Sequence, residues 1–348
     1  MITRAAAKAK RAEMISNSSP ESDNVSAEPP PFVPFQMGPS LERIPDDVLL
    51  EIVSHLPTLD DHPRHTSSKR PMVQHVIPST ILVRTSTLRA LSQTSRLLRS
   101  RCLAMAWQNV ELCGEKLLKY NMPFYDAFGA ATETAIRVLE ACPYLLPFIQ
   151  TVSVMLTSYR YTEIIPEFAA CLATLPNLSA IHVVHTEYKL MTAIRNAFRG
   201  IRLPSVRRIS LPSLAHEIIR SCPNVEEVVC LADNYEGGGR IIQSLAECKC
   251  YHVRMVKGIC APLTHMTPLI DFPHLDTIEI LVQYLICQER QPLSEIAASA
   301  IEKAREILKG NKSQAEKTVV LRITNSHSVY GPYEFAIGKY VTREIIKV

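Results

Sequence analysis

The chain has 348 residues, 47% of them hydrophobic and 21% charged, with a formal net charge of +4. That length accommodates a small module plus one larger domain, and so mild a positive excess, partly placed at Arg4, Lys8, Lys10 and Arg11, gives no ground for nucleic-acid binding. No secretory signal or membrane span is read: the longest apolar run, Ile278 to Cys287, contains Glu279 and Gln283 and is too short for a bilayer. With ten scattered cysteines expected to be reduced, the expectation is a soluble protein of the cytoplasm, the nucleus or both.

Residues 1–40 join a basic start to a Ser, Pro and acidic composition, including Pro29-Pro30-Pro31 and Pro34. Such a segment cannot bury enough apolar surface to order itself, so a disordered tail is expected. Lys8-Ala9-Lys10-Arg11 is read as part of that solubilising tail rather than as an import signal.

From Leu41 to Pro57 the sequence predicts one short helix. Pro45 suits a first turn, where its missing N–H removes no helical bond, and Asp46 and Asp47 place negative charge at the positive end of the dipole. Pro57 disfavours continuation past Leu56. Val48, Leu49, Ile52, Val53 and Leu56 fall on one stripe, an apolar face that needs cover.

The segment 62–86 carries Pro63, Pro71 and Pro78, a basic pair at Lys69-Arg70, and His62, His65 and His75. It reads as an exposed inserted loop, with no cysteine and no spacing suited to zinc. Beyond it, Leu88, Leu91 and Leu98 recur at helical spacing among basic residues, Thr94-Ser95-Arg96 interrupts them, and Trp107 closes the segment as the sole tryptophan.

Ile44-Pro45 before the first helix, a Leu-rich second helix at Leu88 to Leu91, the Thr94-Ser95-Arg96 step and the terminal Trp107 resemble the F-box in order and type. The 62–86 insertion departs from it, since the family joins these parts by a short turn. The resemblance implies a small helical module over 41–112 that binds a Skp-family adaptor, and through it a cullin. The contacts it implies are Ile44, Pro45, Val48, Leu49, Ile52 and Leu56, with Leu88, Leu91 and Trp107 completing the module.

In residues 113–348 one phrase recurs: apolar, Pro, any, apolar, any, any, apolar, any, apolar. It occurs at Leu175 to Val183, Leu203 to Leu211, Cys222 to Cys230 and Phe272 to Ile280. Proline stops a preceding helix, the next apolar residue packs the turn, and the last two, spaced by two, face one side of a short strand. Helical segments are predicted before these corners at 168–175, 190–201, 214–222 and 267–272. Looser copies are read as starting at Cys142-Pro143 and at Cys248-Lys249, the second broken by Arg254. Strand spacings of about 20 to 30 residues predict an α+β or αβ solenoid. The Cys222-Pro223-Asn224-Val225 phrase resembles the cysteine-containing leucine-rich repeats that follow many F-boxes, with irregular lengths here. An amphipathic helix over 293–308 and a strand over 318–324 are expected to cap the stack, and Gly331-Pro332 marks a turn before a last strand-like tail.

Chemistry-bearing patterns are sparse. Gly237-Gly238-Gly239 lacks the Lys and Ser/Thr of a phosphate loop. Cys248, Cys250, His252, Cys260 and His265 fit no zinc spacing, and Ser213 with His216 suggests no third triad member. The expectation is a non-catalytic protein with no cofactor and no metal: a substrate receptor of a Skp-cullin-F-box ubiquitin ligase whose repeats hold an unidentified target. The alternative is a scaffold whose degenerate F-box no longer binds adaptor. Arg207, Arg208 and Arg220 are candidate charge partners for a phosphorylated target, weighed against an ordinary solvated face.

Overall fold

The computed structural model describes residues 44–56, 83–113, 124–231, 238–260, 266–283, 293–311, 313, 315–324 and 340–348. The expected tail over 1–40 and the insertion up to residue 82 lie outside the described residues. The rest of that insertion does not form a loop: residues 83–86 are already the first turn of a helix.

Among the described residues three helices come first: α1 (Asp46–Ser54), α2 (Val83–Thr94) and α3 (Arg96–Trp107). Then come β1 (Asn109–Glu111), α4 (Phe124–Ala141), β2 (Thr151–Met155), α5 (Tyr161–Ala173), β3 (Ala180–His185), α6 (Met191–Phe198), β4 (Arg208–Pro212) and β5 (Glu227–Leu231). The chain continues with α7 (Gly239–Glu247), β6 (Met255–Cys260), β7 (Thr277–Gln283), α8 (Leu293–Gly310), β8 (Thr318–Thr324) and β9 (Tyr340–Lys347). Segments 213–221 and 267–271, expected to be helical, are 3-10 helices, as is Pro143–Phe148.

The nine strands of the described residues form one sheet in strictly sequential order, β1 to β9. Every neighbouring pair from β1 to β8 is parallel, and β9 closes the series antiparallel to β8. Parallel neighbours require a crossover, so each strand from β2 to β8 is fed by a helical segment. The architecture is thus α/β, with an open, mostly parallel sheet built rung by rung.

The corners explain the regularity. Leu175, Leu178, Ile181 and Val183 are buried, as are Leu203, Val206, Ile209 and Leu211 in the next rung and Phe272, Leu275, Ile278 and Ile280 further on. The same backbone turn repeats: the Val206, Val225, Val253 and Leu275 N–H groups donate to the carbonyls of Leu203, Cys222, Cys250 and Phe272 at 3.2–3.3 Å. Just after the first three of these turns, one carbonyl accepts two N–H groups of the following rung, as Arg207 O does from Glu226 and Glu227 at 2.7 and 2.9 Å; after the fourth, Asp276 O accepts the Thr318 N–H alone at 2.8 Å. Asparagine after the corner proline ties neighbouring rungs together, Asn177 Nδ2 donating to Pro147 O at 2.7 Å and Asn224 Nδ2 to Pro204 O at 2.9 Å.

Strand register corrects both looser copies. Thr151 pairs with Ala180, which places Leu146-Pro147-Phe148-Ile149, not Cys142-Pro143, at the corner before β2. Glu227 pairs with Met255, so the corner before β6 is Cys250-Tyr251-His252-Val253. Arg254 therefore takes a position that needs no apolar residue, and its guanidinium reaches Asp276 at 3.2 Å instead. Rung length runs from 19 residues between Arg208 and Glu227 to 42 between Asn109 and Thr151.

One continuous core joins the inward side of the strands to the helices, including Ala300, Ala304, Ile307 and Leu308 of α8. Among the described residues no helix is long and apolar enough to cross a membrane.

Candidate functional site

The three opening helices form a small module with its own core of Leu49, Val53, Leu88, Cys102 and Ala106, against which Ile44, Leu91, Met105 and Trp107 pack partly buried. Thr94-Ser95-Arg96 is the hinge of its hairpin. Ser95 is extended and its hydroxyl accepts the Leu98 N–H at 3.2 Å, so it ends α2 and caps α3. Arg101 of α3 clasps the start of α1, donating to Asp46 Oδ1 at 2.5 Å and to the Ile44 carbonyl at 2.6 Å. Asp46, one of the two acidic residues that favour the N-terminus of α1, thus also anchors that helix to its neighbour.

This packing divides the residues implied by the resemblance. Leu49 is 6% exposed and Leu88 1%, so both hold the module together and present nothing to a partner. Leu56, Leu91 and Ile44 are half-buried, and Pro45 is exposed. Val48 and Ile52 stand out at 44% and 49% exposure. At about 100° per helical residue, Pro45, Val48 and Ile52 share one flank of α1, beside the seam buried by Leu49 and Val53. The apolar stripe is therefore two surfaces, one inside the module and one facing outward. Leu50, 54% exposed on the other flank, was not singled out from the sequence, because the stripe spacing skips it.

Trp107 belongs to both parts of the molecule. Register pairs Asn109 with Thr151, which gives Trp107 the corner position that Ile149, Leu178 and Val206 hold in later rungs. Its ring packs against the module core and against the large core. The Arg89 guanidinium lies 4.9 Å from the ring centroid. Next to it, Glu111 of β1 accepts a hydrogen bond from Thr85 Oγ1 at 2.9 Å. Burial raises the Glu111 carboxyl above its ordinary range, against the opposing pull of Thr85 and Arg89. The last helix of the module is thus the helix of the first rung.

The other candidates from the sequence resolve into structure. Gly238 takes the left-handed conformation (φ 93°) at the start of α7, with a Cβ there meeting Cys230 Sγ at 3.0 Å; this part of the glycine run is a close-packed turn. Gly237 and His265 lie outside the described residues. Among the described residues no group of three or more His, Cys, Asp or Glu could hold a metal ion. His216 pairs with Ser244 at 2.8 Å, not with Ser213. The three arginines weighed for phosphate are engaged internally: Arg207 with Glu226 at 3.5 Å, Arg208 with Glu227 at 2.8 Å, Arg220 with Glu217 at 2.7 Å and Glu247 at 2.5 Å. Burial alone would raise the Glu217 carboxyl, but Arg195 and Arg220 together hold it below the usual range. A cavity between α4, β2 and α5, bounded by Met155, Ile164, Ile165 and Phe168, contains no acid, base or thiol in its lining apart from the phenol of Tyr159.

No protein-family model matches the chain, and no curated protein matches it in sequence.

Proposed function

We propose that this chain is a substrate-receptor subunit of a Skp-cullin-F-box ubiquitin ligase. The F-box-like module would dock a Skp-family adaptor, and through it a cullin, while the leucine-rich-repeat-like solenoid would hold the target protein. The observation that carries this reading is the outward flank of Pro45, Val48 and Ile52 on a three-helix module whose own core is already filled by Leu49 and Leu88. Large apolar side chains left outside a satisfied core mark an association surface. Such a receptor makes no bond itself; it raises the effective concentration of a target lysine near a charged ubiquitin-conjugating enzyme.

The test is co-expression of the full chain with a Skp-family adaptor, reading co-elution. A stoichiometric complex that is lost in Ile52→Asp and Val48→Asp, with both variants folded, supports the proposal. Folded wild-type protein that ignores the adaptor overturns it in favour of a non-ligase scaffold.

A further inference from the structure

Three thiols meet where two rungs stack. Cys222 lies five residues before Glu227 and Cys250 five before Met255, and Glu227 and Met255 are paired in register. The two cysteines are thus the same corner residue in neighbouring rungs, both 0% exposed, each accepting the equivalent turn hydrogen bond on its carbonyl. Neighbouring parallel strands run about 4.8 Å apart, and a disulfide tolerates Cα separations of roughly 4.4–6.8 Å. Cys248 occupies the position that Arg220 holds one rung earlier, and the Arg220 guanidinium lies 4.0 Å from its sulfur. Unlike its two neighbours, Cys248 is not buried.

We infer that these residues form a redox-responsive staple, in which Cys248 admits an oxidant and a reversible disulfide between Cys222 and Cys250 locks two adjacent rungs. With hydrogen peroxide as oxidant, the Cys248 thiolate attacks one peroxide oxygen and expels hydroxide, leaving a sulfenic acid. The Cys250 thiol attacks that sulfur and water departs. The Cys222 thiol then attacks the Cys250 sulfur and passes its proton to the departing Cys248 sulfur, so the final disulfide is Cys222–Cys250 and Cys248 leaves as a thiol again. Two thiols lose two electrons and two protons, and one peroxide becomes two waters.

The surroundings assign the order. Burial raises all three thiols, Cys250 to about 12, but Arg220 opposes the rise at Cys248. Arg220 is held in place by Glu217 and Glu247. Neither buried thiol has a basic partner of this kind among the causes acting on it. This inference does not rest on the ligase proposal, and either can fail alone.

The experiment treats the full chain with dilute hydrogen peroxide, alkylates free thiols under denaturing conditions, and maps peptides by mass spectrometry. The expected product is a linked peptide joining Cys222 to Cys250, lighter by two hydrogens, released by a reductant, with a melting temperature several degrees above that of the reduced protein. Recovery of Cys222 and Cys250 both alkylated, or Cys222 linked elsewhere, overturns the staple. Cys248→Ser, which leaves both buried thiols untouched, should slow formation at least about tenfold; an unchanged rate overturns its role as the entry thiol. Melting and far-ultraviolet dichroism of the reduced variant show that it is folded.

Discussion

The small module and the long solenoid use apolar residues differently. In the solenoid, the corner and strand positions of the recurring phrase are consumed by its own core: Val206, Ile209, Leu211, Val225 and Val228 are all completely buried. In the module, five residues suffice for the core, and Val48, Leu50 and Ile52 remain on the surface of a nine-residue helix. Equal hydrophobicity in the sequence therefore means buried architecture in one region and exposed apolar surface in the other. What separates the two meanings is whether the repeat supplies a neighbouring rung to cover the side chain.

The sharpest way to break this comparison is inside α1 itself. Leu49→Asp places an unpaired charge in the module core and should cost about 4 kcal/mol or more, seen as loss of the module's helical signal in thermal or urea unfolding. Ile52→Asp, three residues along but outward, should change stability by no more than about 0.5 kcal/mol. Equal destabilisation by the two would erase the distinction between inner and outer flank.

At the junction, Trp107→Ala should cost about 3 kcal/mol and lower the unfolding midpoints of module and solenoid together, since one ring packs into both cores. Separate transitions, with only one shifted, would show that the two parts are energetically independent. Within the solenoid, Gly258 has φ 72° inside the irregular step of β6, and a Cβ there would sit 2.3 Å from the Cys230 carbonyl oxygen. Gly258→Ala should therefore cost about 2–3 kcal/mol in denaturant unfolding, a backbone effect with no counterpart on the module's outer flank.

A titration offers a smaller effect. Burial lowers His185 at the end of β3 from its ordinary value to about 4. The folded state favours the neutral ring, so its contribution is full above the unfolded value near 6.5 and is lost as pH falls toward 4. Over that window the solenoid should lose about 2 kcal/mol, read from urea midpoints, and His185→Gln should flatten the slope. Smallest is Asn224→Ala, which removes one inter-rung hydrogen bond and should cost about 1 kcal/mol.

The four corners at Pro176, Pro204, Pro223 and Pro273 were legible because a single proline and a fixed apolar interval mark each of them. The corner before β2 was not, because Pro143 and Pro147 both offer a helix stop and the earlier one caught the reading; only the pairing of Thr151 with Ala180 decides between them. Before β6, Tyr251 stands where proline stands elsewhere, which removes the marker while Cys250 and Val253 keep the apolar interval. The first rung was concealed further, since its corner residue is Trp107 and the helix feeding it had been assigned wholly to the module. The candidate site was legible as a stripe but not as two flanks. Which side of α1 is covered depends on α2 and α3, and the residues that cover it, Leu88, Cys102 and Ala106, lie 35 to 57 positions away in sequence from Val53 and Leu49.

The position of Trp107 also gives the protein a built-in optical probe. As the chain's single tryptophan, it is the only indole that contributes to the emission of the whole molecule. That emission arises at the seam of two cores, under a guanidinium that will perturb it. Any event that loosens the module from the first rung should be visible in an unlabelled sample as a change in one wavelength maximum, without a tag or an added fluorophore.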